Sequence, residues 1–72
     1  MCLVQLPDGL VVNFDHVLKM RKVDYVLEDG HSTPLIWLKF VTGEEERVTF
    51  PHRDERDKFY RDLKALLGLH NL

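Results

Sequence analysis

The sequence predicts an α+β domain: an antiparallel β-sheet of four to five strands in a meander, followed by one C-terminal α-helix packed on one face. Three observations carry this expectation. Apolar and polar residues alternate from Leu3 to Phe50, the period of half-buried strands. A helical period replaces the alternation after Pro51. Gly9, Gly30 and Gly43 each fall in a short turn-forming cluster between the alternating runs. The 72 residues are expected to form a single domain, 1–72, with strands within 2–50 and the helix over about 53–67.

Leu3–Leu6 and Leu10–Phe14 flank Pro7-Asp8-Gly9, where proline fixes φ and glycine supplies the positive φ of a tight turn. Alternation turns Val4, Leu6, Leu10, Val12 and Phe14 inward, and Gln5, Val11 and Asn13 away. Asp15-His16 makes a bend. Val17–Leu27 then reads as a longer strand in which Leu18 and Met20 share one parity and Val23, Tyr25 and Leu27 the other. A bulge near Arg21-Lys22 would reconcile the two sets; without it, one set points to solvent or to a partner.

Residues 28–33 form a loop by composition, and Pro34 is tolerated where the next strand opens. Leu35–Val41 carries two rows, Ile36, Leu38 and Phe40 on one side and Leu35, Trp37, Lys39 and Val41 on the other. Such a strand is either central under two layers or covered on one face by another chain. After a turn at Thr42–Glu45, the strand Glu46–Phe50 turns Val48 and Phe50 inward and Arg47 and Thr49 outward. Asp54, Glu55 and Asp57 enrich the first helical turn, where the helix dipole favours negative charge. Phe59, Leu63, Leu66 and Leu67 make an apolar stripe with Tyr60 on its flank, and Gly68 caps the end. Asp54 with Lys58 and Asp57 with Arg61 are expected as i,i+4 ion pairs.

Composition narrows function by exclusion. Cys2 is the one cysteine, so no intramolecular disulfide forms, and the thiol suits a reducing, cytoplasmic compartment. No apolar run has membrane-span length, and Met1–Leu10 lacks the basic start of a signal peptide. Ten basic and twelve acidic residues give a net charge of −2, without the basic excess of a phosphate-backbone binder. The nearest basic patch is Lys19, Arg21 and Lys22 with Lys39. His16, His31, His52 and His70 have no i,i+3 or i,i+4 spacing, so no metal and no cofactor is expected. Asp15-His16 and Asp29 with His31 look like fragments of a general-base pair, but Ser32 is the one serine and no turn presents it as a nucleophile. The glycines are spread one to each turn or cap, and none forms a phosphate loop. The chain is therefore expected not to be an enzyme and to have no catalytic residues.

One helix covers one face of a sheet. Leu35, Trp37 and Val41, with Val11 and Tyr25 from neighbouring strands, are then left as a candidate interface, tryptophan and tyrosine being favoured anchors. A domain of this size buries only about 60% of its unfolded surface, which makes association a remedy for a marginal core. The leading expectation is a non-catalytic protein-interaction module that forms a homodimer through the uncovered face and acts as an adaptor, regulator or inhibitor.

Two resemblances give alternatives. The order of strands followed by one helix resembles small sheet-platform binders of the PUR and positive-cofactor kinds. That implies a single-stranded nucleic acid, with bases on the aromatic side chains and phosphates on Lys19, Arg21, Lys22 and Lys39. Over Leu35–Leu67, the hairpin, Phe50-Pro51-His52 and the helix bearing Arg56, Phe59, Tyr60 and Leu63 resemble the closing hairpin and helix of pleckstrin-homology-like domains. This stretch is under half of the chain, and the Leu3–Phe14 hairpin has no lysine or arginine to make a phosphoinositide site.

Overall fold

In the computed structural model, which describes residues 2–68, an α+β fold is built from five strands and one helix. They are β1 (Leu3–Gln5), β2 (Val11–Asn13), β3 (Val17–Val26), β4 (Ser32–Phe40), β5 (Glu45–Thr49) and α1 (Arg53–Leu66), with a 3-10 turn at Phe14–His16. His70 lies outside the described residues. All pairings are antiparallel between sequence neighbours, but the strands form two sheets, β1-β2 and β3-β4-β5. The break falls at the 3-10 turn, where the Asn13 side chain accepts the Asp15 N–H at 3.0 Å and redirects the chain before β3.

The three hairpins close in the same way. The N–H groups of Gly9, Gly30 and Gly43 donate to the carbonyls of Leu6, Leu27 and Phe40 at 2.9, 3.0 and 2.9 Å. These glycines have φ of 93°, 89° and 94°, the left-handed conformation that an L side chain resists. One residue before each glycine, Asp8, Asp29 or Thr42 accepts the N–H of the residue just after it. A tight turn ending in a left-handed glycine fixes which residues oppose one another along the strands.

Leu6, Val12, Phe14, Ile36, Leu38, Val48, Phe50 and Leu63 form the buried core, with Val4, Phe40, Phe59 and Leu67 packed against it. The rings of Phe50 and Phe59 meet at 5.5 Å between centroids. Thus the β1-β2 ribbon and α1 share one face of the three-stranded sheet. Two expected core residues are exposed instead. Leu10 completes the first turn, where its carbonyl accepts the Leu6 N–H, and Leu66 ends the helix about 80° from the centre of the buried stripe at ~100° per residue. The register shift in β3 lies between Val17 and Lys19, not near Arg21-Lys22. Leu18 is the residue displaced to solvent, Met20 packs on the core, and Val23 and Tyr25 take the opposite face.

Arg56 holds the helix to the sheet. It is buried to 3% exposure, and its Nη1 donates to the Val23 carbonyl at 2.8 Å and the Leu35 carbonyl at 3.4 Å. The same atom lies 3.1 Å from Asp24 Oδ1, while Nε donates to Asp57 Oδ1 at 2.8 Å. A buried guanidinium needs such a set of acceptors, because unpaired it would forfeit its hydration. Asp57 is therefore turned to Arg56 and to Lys22, 4.0 Å away, instead of to Arg61.

Candidate functional site

The second face of the β3-β4-β5 sheet has no layer over it among the described residues, and the turns determine what it presents. Counting outward from the closed turns sets Arg21 opposite Trp37, Val23 opposite Leu35 and Tyr25 opposite Thr33. On the other side of β4, Thr49 opposes Leu35, Arg47 opposes Trp37 and Glu45 opposes Lys39. Positions of one parity share a face, so these side chains form a single surface with Lys19 at its end. Its middle is an open concavity of about 700 Å³.

Val23 and Leu35 make the floor. Leu35 is buried even without a covering layer because Val23 and Thr49 flank it across the strands and Trp37 follows along its own. The floor is also held from behind, since Arg56 binds the carbonyls of these same two residues. Trp37 stands next to it in a fixed pose: its Nε1 donates to Glu45 Oε1 at 3.0 Å, and the Arg21 guanidinium carbon is 5.1 Å from its ring centroid. Tyr25, at the other end, is 59% exposed.

Charge is sorted between the two faces. Lys22, Arg53 and Arg56, on the helix side, are paired with Asp24 or Asp57. Lys22 also lies 5.5 Å from the Tyr60 ring, which Lys64 approaches at 5.4 Å. On the open face Lys19, Lys39 and Arg47 have no salt bridge among the described residues. Lys19 and Lys39 sit directly opposite each other, a like-charge pair that weakens a ladder unless something neutralises it.

Of the residues singled out from sequence, Leu35, Trp37 and Tyr25 come together on this face with Lys19, Arg21 and Lys39. Lys22 points to the helix side. Val11 is exposed on the β1-β2 ribbon, beside a smaller hollow of about 270 Å³, and Val41 is exposed in the turn after β4. Arg47 and Val23 belong to the face although sequence reading gave them no role. The signal for both was the position of the turn glycines, which sets Arg47 against Trp37 and Val23 against Leu35.

The other candidate chemistry stays dispersed. His31 Nδ1 is 3.0 Å from Asp29 Oδ2 on an exposed loop tip. The His31 backbone N–H, followed by its side chain, holds the Asp29 carboxyl below the ordinary value. No group of three or more His, Cys, Asp or Glu side chains suited to a metal occurs among the described residues, and no helix there is long and apolar enough to cross a membrane.

Fold and face together define a small α+β protein with an open sheet platform, apolar at its centre and cationic around it. Compared with protein-family models, curated proteins and solved structures, the chain matches none.

Proposed function

We propose that this protein is a non-catalytic binding module whose working surface is the open face of β3-β4-β5 and whose occupant is an extended anionic partner. The observation that carries the reading is the sorting of charge. Four cations, Lys19, Arg21, Lys39 and Arg47, share that face with one carboxylate, Glu45, a net +3. Since the whole chain carries −2, the remainder of the molecule carries −5. Such separation produces a local positive field that net charge conceals.

A second copy of the chain suits this face less well. A two-fold contact repeats one patch on both partners, so face-to-face pairing opposes +3 to +3. A head-to-tail contact would match the signs, but it fills every face only where the rotation closes a ring and otherwise propagates as an open filament.

The test is elution from immobilised heparin in a salt gradient, with light scattering for mass. The wild-type chain is expected to bind at low salt despite its acidic pI of 6.0. Arg47→Glu is expected to elute earlier, and Lys58→Glu, on the helix, is expected to elute as wild type. Passage of the wild-type protein straight through the column at low salt sinks the reading. A stable dimer that Trp37→Glu converts to monomer would instead give the face to a second copy.

A further inference from the structure

We infer that the extended anionic partner is a single-stranded nucleic acid, bound with bases on Trp37, beside Arg21, and on Tyr25 and with phosphates on Lys19, Lys39 and Arg47. The inference rests on the reading of the open face as an anion-binding surface and adds the chemistry of the occupant. Cations alone suit any polyanion. What this face adds is planar groups between them: an indole hydrogen-bonded to Glu45, a guanidinium whose central carbon is 5.1 Å from the indole centroid, and Tyr25, a residue 59% exposed.

Bases stack on aromatic rings and equally on guanidinium planes, which needs strands whose bases are not already paired. Arg21 and Tyr25 are four residues apart in β3, about 13 Å at ~3.3 Å per residue. The two stacking points are thus separate, with the Val23–Leu35 floor between them. Lys19 and Lys39 lie beyond the Arg21–Trp37 pair at one end and Arg47 lies across from Trp37, so cations border the line between Trp37 and Tyr25. A carboxylate-rich peptide would use the cations but leave the rings without a planar counterpart.

The experiment is fluorescence anisotropy with a labelled twelve-nucleotide oligothymidylate at low salt. Its companions are a duplex of equal length, poly-glutamate and a heparin fragment, together with the Trp37 emission on titration. The inference expects the single strand to bind more tightly than the duplex or poly-glutamate, with quenching of Trp37. Tyr25→Leu is expected to weaken it about tenfold while leaving heparin retention unchanged, as loss of one stacked base predicts. Lys39→Gln is expected to lower the slope of log K against log salt by about 0.7, one phosphate contact. Circular dichroism of each variant checks that the fold is kept.

Heparin and oligonucleotide bound alike, with Tyr25→Leu without effect on either, would overturn the nucleic-acid inference and leave the anion-binding reading intact. Duplex bound as tightly as single strand would also overturn it. Absence of binding to heparin and to every oligonucleotide would overturn both.

Discussion

Arg56 is the residue on which most of the helix-to-sheet geometry depends. Its acceptors are two main-chain carbonyls and two carboxylates, from β3, β4 and α1. Asp24 and Asp57 remain solvated when Arg56 is removed, so the cost falls on the buried carbonyls that lose their donor, about 1–3 kcal/mol, and on the lost packing of its side chain, whereas an exposed ion pair is worth about 0–1 kcal/mol. Arg56→Ala is therefore expected to destabilise several times more than Arg53→Ala in urea denaturation. The Asp57 carboxyl is held below its ordinary value of 3.8 first by its hydrogen bond from Arg56, with the charges of Arg56, Lys22 and Arg53 adding to it. A depressed folded-state value means that the unfolded chain binds the proton more readily. The contribution is complete above 3.8 and is lost as pH falls from there through the folded-state value. Melting temperatures of wild type and Asp57→Asn are thus expected to differ at neutral pH and to converge in strong acid. Neither role was legible in the sequence. Arg56 entered the sequence reading only within the pleckstrin-homology-like pattern, and its main-chain acceptors lie 33 and 21 residues away in the chain.

Among the elements, the helix was the most legible, expected over about 53–67 and found over Arg53–Leu66, and the hairpin turns came next, although β4 opens at Ser32, inside the expected loop 28–33. The glycine is needed for its backbone: at Gly30 an added Cβ meets nothing within 4 Å, yet φ is +89°. Gly30→Ala is accordingly expected to cost about 1–2 kcal/mol from conformation alone. Gly30→Asn is expected to cost less, since asparagine tolerates this region, and thermal melts of the two variants measure the difference. The bulge at Leu18 was not legible in the same way. It follows from long-range pairing, with Val17 against Phe40 and the Val41 N–H on the His16 carbonyl at 2.8 Å, which depends on how the 3-10 turn delivers the chain to β4. Leu66 shows the related difficulty at a helix end: four residues suggested a stripe, but Arg56, Phe59, Tyr60, Leu63 and Leu67 are the ones that the sheet meets.

For the whole molecule, the basic patch expected from sequence held three of the open face's four cations, Lys19, Arg21 and Lys39, but not Arg47, and net charge, which averages over both faces, concealed how far the charges separate. The aromatic part of the site was legible from the parity of β4. The cationic part needed the register of both neighbouring strands, which brings Arg21, Lys19 and Arg47 to Trp37 and Lys39. The repeated turn has a kinetic consequence as well. Every strand pair joins sequence neighbours, so each hairpin finds its partner without waiting for a distant segment, and hairpins of this kind form in about 1–10 μs. What remains is the docking of the ribbon and the helix onto the finished sheet. Followed by Trp37 fluorescence in stopped flow, Gly30→Ala is expected to slow refolding and Arg56→Ala chiefly to speed unfolding. Those outcomes would assign the order of assembly to the three glycine turns and the lifetime of the assembled state to Arg56.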